Sequence, residues 1–121
     1  MGEDTIIVPT ILTDNTNVFV EQMKAYISFA KRIQIDLMDG TFTPNRSVPE
    51  SSISQLPNGI QFDLHIMAIR PSDHLSEVLR LHPSLAIFHA EASEDLLPIF
   101  DQLKKAGIKT GVAILPTTYP G

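Results

Sequence analysis

Gln34-Ile35-Asp36-Leu37-Met38-Asp39-Gly40-Thr41-Phe42-Thr43-Pro44-Asn45 starts as an apolar strand and delivers carboxylates where its loop begins. Burying an unpaired carboxylate is costly, so an aspartate at the mouth of a buried strand usually meets a metal, a substrate or a partner charge. Outward from this stretch, short runs rich in Ile, Val and Phe recur at residues 5–9, 33–38, 60–67, 85–90 and 109–115. They have the texture of strands covered on both faces.

Between the runs the spacing turns helical: Val18, Met23, Ile27 and Ala30; then Leu75, Val78, Leu79 and Leu81; then Leu96, Ile99, Phe100 and Leu103. Pro71 suits a first helical turn, Ser93 can cap the segment opening with Glu94 and Asp95, and Gly107 can close it after Lys104 and Lys105. Residues 49–55 read as a shorter helix. Pro98 would kink the last helix if it lay past the first turn. Strand and helix alternating every 25 to 30 residues or so imply βαβ units and a parallel sheet, in a barrel or an open doubly wound arrangement. Pro9-Thr10-Ile11-Leu12-Thr13-Asp14 follows the first strand where a dinucleotide fold would carry its glycine-rich turn, which counts against that fold.

Composition narrows the function. The chain has 121 residues and reads as a single domain, well short of the roughly 200 of a complete (β/α)8 barrel. No apolar run approaches the roughly 20 residues that span a bilayer. Met1-Gly2-Glu3-Asp4 lacks the basic and apolar regions of a secretory signal, so a cytoplasmic setting is expected. The absence of Cys excludes disulfides and thiolate chemistry, and a net charge of −5 argues against nonspecific nucleic-acid binding.

Chemistry gathers late in three strands. Residues two apart share a strand face, which groups Gln34, Asp36 and Met38; Asp63, His65 and Met67; and Ile87, His89 and Glu91. Parallel strands bring these ends to one rim, the edge where α/β barrels place their active sites. Taken singly, each residue has a plainer reading. Asp36 could cap its loop, His65 could be a satisfied core histidine, and Asp39-Gly40 is a turn by composition. Met38 and Met67 could be core filler. His89 and Glu91 are a salt-bridged strand end or direct participants, and Asp63, below the rim, is structural.

The opening stretch resembles the second strand of the ribulose-phosphate 3-epimerase family, His-x-Asp-x-Met-Asp-Gly-x-Phe-x-Pro-Asn. Val8-Pro9-Thr10-Ile11-Leu12-Thr13 is similar to its first strand, Asp63-Leu64-His65-Ile66-Met67 to its third and His89-Ala90-Glu91-Ala92 to its fourth. Lys109-Thr110-Gly111-Val112-Ala113 with Pro116-Thr117-Thr118 is similar to its fifth. The resemblance implies parallel (β/α) units of a TIM-type barrel, about five strands of eight, in one incomplete domain over residues 1–121. It implies an isomerase of the pentose phosphate pathway that converts ribulose 5-phosphate to xylulose 5-phosphate, a phosphorylated ketopentose, through a metal-stabilised enediolate. Asp36 would be an acid/base and metal ligand, and His65 a second ligand at the substrate. Thr10 would contact substrate while Met38 and Met67 line the pocket. The expected cofactor is a divalent zinc, iron or manganese.

Gln34 departs from the family, standing where a metal-binding His is found, and a neutral amide is a poorer ligand for zinc or iron. The opposite-face Asp and the phosphate loops belong to later strands, so the chain is expected to be a fragment, incomplete for catalysis by itself. Its open edges invite aggregation or self-association into a homo-oligomer. A noncatalytic sugar-phosphate-binding or self-assembling module is the alternative. The decarboxylase and aldolase branch of the superfamily needs Asp-x-Lys, and His65 stands at that Lys. Arg46 and Arg70, in rim loops, are available to an anion.

Overall fold

The computed structural model describes residues 7–116. Strands β1 (Thr10–Ile11), β2 (Arg32–Met38), β3 (Gln61–Met67), β4 (Leu85–His89) and β5 (Lys109–Ala113) form one parallel sheet in chain order. Helices α1 (Thr16–Ile27), α2 (Leu75–Leu81) and α3 (Leu97–Lys105) follow β1, β3 and β4. After β2 the connection holds only a 3-10 turn, Glu50–Ser52, where the spacing predicts a short helix. This is a partial TIM-type arrangement, and among the described residues the sheet does not close.

The core lies on one face. Ile33, Ile35 and Leu37 of β2, Phe62, Leu64 and Ile66 of β3, and Ala86 and Phe88 of β4 are each at most 2% exposed. Phe19, Met23, Val78, Leu81, Ile99 and Leu103 of the helices belong to the same buried cluster. Burial stabilises each large side chain by roughly 1.5–3 kcal/mol. The expectation of strands covered on both faces is corrected here: β2 alternates buried and part-exposed residues, because the open sheet leaves its second face only partly covered.

Local signals moved three boundaries. The first strand, expected over residues 5–9, is Thr10–Ile11, and residues 1–6 lie outside the described residues. Pro9 offers its carbonyl to Gln34 N–H but has no N–H of its own, and the strand pairing begins at Thr10 opposite Gln34. In α1, Asn15 Oδ1 accepts the Val18 N–H and sets where the helix begins. That start buries Phe19 and Met23, while Val18 and Ile27 are exposed and Ala30 is buried past the helix end. Ser93 does not cap α3; both its N–H and its hydroxyl donate to Ile69 O, and Asp95 Oδ1 takes the Leu97 N–H instead. Pro98 consequently falls in the first turn, where its missing N–H costs no helical bond. Gly107, at φ 82°, follows the helix end as its position predicts.

The long β2–β3 connection is tied to α2 by two side chains. Arg80 donates to the carbonyls of Glu50, Ile53 and Ser54 at 3.0, 2.8 and 2.8 Å. His74 Nδ1 meets Glu50 Oε1 at 2.6 Å, and Glu50 is 7% exposed. The hydrogen bond to Glu50 raises the His74 pKa above its ordinary value, against the opposing effect of burial. A raised folded pKa stabilises the fold fully below the unfolded value and is lost as pH rises through the folded one. His74→Gln should therefore destabilise the chain at about pH 6 and lose that effect by about pH 9. Urea denaturation of both proteins at the two pH values measures this; a difference that stays constant or grows with pH would contradict it.

Candidate active site

The second sheet face is built in layers by strand register. Gln34 pairs with Asp63, Asp36 with His65, His65 with Ile87, and Met38 with Met67. Thr10, level with Gln34 on the adjoining strand, is exposed. In the lowest layer Arg32 Nε donates to Asp63 Oδ2 at 2.8 Å, which bears out the structural reading of Asp63.

Asp36 sits one layer higher. Its Oδ1 accepts from Gln34 Nε2 at 2.9 Å and lies 3.3 Å from His65 Nδ1. Burial disfavours the charge on Asp36, but hydrogen bonding to His65 and Gln34, with the charge of His65, outweighs it and holds the pKa below the usual carboxylate value. The other ring nitrogen of His65, Nε2, is 2.8 Å from His89 Nε2. His89 Nδ1 in turn meets Glu91 Oε1 at 3.4 Å, and Glu91 Oε2 accepts the Leu115 N–H at 3.2 Å. Burial and the charge of His65 lower the His89 pKa, with Glu91 pulling the other way.

The loops above are fixed by Asp39. Its Oδ1 accepts the N–H groups of Thr41 and Phe42 at 2.8 and 2.7 Å, and its Oδ2 accepts Ile69 N–H at 2.9 Å, which joins the β2 and β3 loops. These bonds lower its pKa despite burial. Gly40 has φ 80°, and a Cβ there would lie 2.6 Å from Arg46 Nε. The positive φ calls for glycine at this turn, and a Cβ would also push the Arg46 side chain aside. Arg46 packs over that turn, and Arg70 is two-thirds exposed with Asp73 at 4.0 Å, so neither contacts Asp36.

The structure brings together Gln34, Asp36 and His65 and sets Met38 beside Met67 on the same face. His89 enters as a direct neighbour of His65, which the spacing of its strand alone does not reveal. The His74–Glu50 pair was also missed; its members are 24 residues apart, and no strand pattern links them.

A parallel α/β sheet that brings a carboxylate and imidazoles toward the carboxyl ends of its strands has the arrangement in which (β/α) barrels place their active sites. The family model described as the ribulose-phosphate 3 epimerase family matches residues 6–120. The chain is 30% identical over 119 residues to ribulose-phosphate 3-epimerase of Chlamydia pneumoniae, covering 96% of this chain and 52% of that protein. It is 32% identical over 132 residues to the Candida glabrata ribulose-phosphate 3-epimerase, covering 93% and 54%. Against the chloroplastic ribulose-5-phosphate-3-epimerase of Arabidopsis thaliana the identity is 28% over 120 residues, covering 95% and 43%. The chain belongs to the ribulose-phosphate 3-epimerase family and spans about half the length of the relatives it matches.

The residues described do not fit a divalent-metal centre by themselves. Gln34 turns its amide nitrogen, a donor, toward Asp36, and both ring nitrogens of His65 already have neighbours. Among the described residues no three His, Cys, Asp or Glu side chains converge as a ligand set.

Gln34 stabilises the charged form of Asp36, and its removal should push the Asp36 pKa up. A carboxyl-carbon NMR titration of Gln34→Ala against the parent chain measures the shift. An unchanged or lower pKa would show that the amide does not support the charge.

Proposed function

We propose that this chain carries the proton-abstracting part of an epimerase site for a phosphorylated ketopentose, ribulose 5-phosphate, with Asp36 as the base. One observation carries the reading. Among the described residues, each hydrogen-bond or ion-pair contact of Asp36 is made through Oδ1, which leaves Oδ2 to receive a proton. With a pKa below the ordinary carboxylate value, Asp36 is ionised at neutral pH, the form that can accept a proton.

In the proposed step the C3–H bond breaks, the proton passes to Asp36 Oδ2, and the electron pair forms the C2–C3 double bond. The C2 carbonyl oxygen then becomes an oxyanion. Gln34 Nε2 donates one N–H to Asp36 and carries a second for that charge, and a preorganised donor contributes about 3 kcal/mol to such a step. Met38 and Met67 form an apolar wall on the same face, and Thr10 lies toward the sheet edge. Return of the proton on the opposite face needs a second acid, which the resemblance assigns to a later strand. Asp36 and His65 alone are half of the metal-ligand set that the resemblance implies.

The open sheet supports a site completed by further strands or by a second copy. Ile7, Val8 and Leu12 near β1, and Val112 and Ile114 at β5, are apolar and exposed. The cytoplasmic setting belongs to the proposal too; its relatives include a chloroplastic enzyme and one named as a cytoplasmic isoform. No helix among the described residues is long and apolar enough to cross a membrane.

Proton removal and return on a single face needs only one carboxylate. The chain should therefore incorporate deuterium from solvent at C3 of ribulose 5-phosphate without accumulating the epimer. Asp36→Asn should slow incorporation by about 10²–10⁴-fold, the usual contribution of a positioned base. NMR of the recovered sugar phosphate reads both quantities. Sugar-phosphate binding without exchange would favour the noncatalytic module, a reading consistent with the hold of Gln34 on Asp36.

A further inference from the structure

His89 is committed to His65 more fully than a strand-end histidine needs to be. The two rings are inclined by only 23°, and their centroids are 5.0 Å apart. That separation equals the 2.8 Å Nε2–Nε2 contact plus about one ring radius on either side, so the rings lie edge to edge and nearly in line. An N–H on one ring then points along the lone pair of the other. This is hydrogen-bond geometry; face-to-face stacking would bring the centroids closer while parting the nitrogens.

His89 itself is held from three directions. It ends β4 at 6% exposure, and the Phe42 ring lies against it at 4.9 Å, tilted by 45°. Phe42 comes from the loop that Asp39 orders through the Phe42 N–H. Glu91 Oε1 occupies the other ring nitrogen, Nδ1, while Glu91 Oε2 is tied to the chain leaving β5. A ring held in this way has little freedom to rotate, and Glu91 leaves Nε2 as the nitrogen it offers to a neighbour.

We infer that His89, fixed by Glu91, is a positioning residue: it engages Nε2 of His65 and so leaves Nδ1 as the nitrogen that His65 presents beside Asp36. The inference rests on the proposed role of Asp36, since a directed Nδ1 matters only where a reacting group meets that pair. Residues that orient an active-site imidazole through its second nitrogen are a recurrent device, because a free ring presents either nitrogen. Strand β4 acts here without touching the reacting atoms. The contact is diagonal in the sheet, as His65 pairs with Ile87 and His89 lies two residues further along β4.

The test is NMR of the full chain labelled with 15N at histidine, without added metal or sugar phosphate. A scalar coupling across the hydrogen bond between His65 Nε2 and His89 Nε2 is expected. Glu91→Ala should abolish it, and Glu91→Gln, which keeps an oxygen near His89 Nδ1, should retain it, with both backbone amide spectra otherwise preserved. His89→Phe should shift the ring nitrogens of His65. A parent chain without the coupling, or a Glu91→Ala chain that keeps it undiminished, would overturn the inference. Because the coupling is read without turnover, its absence is distinguishable from failure of the epimerase reading, which the deuterium-exchange assay decides separately.

Discussion

The in-register parallel pairing of β2 with β3 is the constraint on which the rest of the structure depends. It runs unbroken from Arg32 opposite Gln61 to Met38 opposite Met67. Side chains alternate faces along a strand, so one register decides two things at once. Ile33, Ile35 and Leu37 meet Phe62, Leu64 and Ile66 on the helix side, while Asp36 meets His65 on the other. A slip of β2 by one residue would drive Asp36 into the apolar layer without a partner. Core and candidate site are thus opposite faces of the same ladder, and hydrophobic burial on one side holds the polar geometry on the other.

On the polar face the groups are connected in series. Gln34 holds Asp36, Asp36 faces His65, His65 meets His89, and His89 is anchored by Glu91 to the chain beyond β5. Such a network is costly if a member lacks a partner and rigid when its members are engaged. The Arg32–Asp63 pair below it is separate, which distinguishes a structural ion pair from the linked groups above. Gln34 places an amide donor beside Asp36, which supports the charge on the carboxylate and contributes none itself. The fit to a metal is correspondingly poor, and the chemistry proposed for these residues is removal and return of a proton.

Much of this was legible in the sequence because strand texture and rim convergence are local and periodic. Four of the five apolar runs marked strands, the first falling just ahead of Thr10–Ile11, and the i, i+2 rule alone placed Gln34, Asp36 and Met38 on one face. The turn at Asp39-Gly40 announced itself by composition. Other features depended on information that periodicity does not hold. The rotation of α1 followed from where Asn15 starts the helix, so Phe19 rather than Val18 faces the sheet. Ser93 looked like a cap but found the Ile69 carbonyl, a partner distant in sequence. The His65–His89 contact required the β3–β4 register together with a diagonal reach between strands, and the His74–Glu50 pair joins a loop to a helix start. The resemblance supplied what the residues alone left open, namely the barrel rather than a doubly wound sheet.

The claim that the carboxyl-end rim of β2, β3 and β4 is the functional face is tested most directly by mapping ribulose 5-phosphate onto the chain with amide chemical shifts. The account predicts saturable shifts concentrated at Gln34–Asp39, His65–Ile69 and His89–Glu91, and weakened in Asp36→Asn. Saturable shifts confined to the outer surface of α3 and β5, or equal binding by a chain lacking the Asp36 carboxylate, would contradict it.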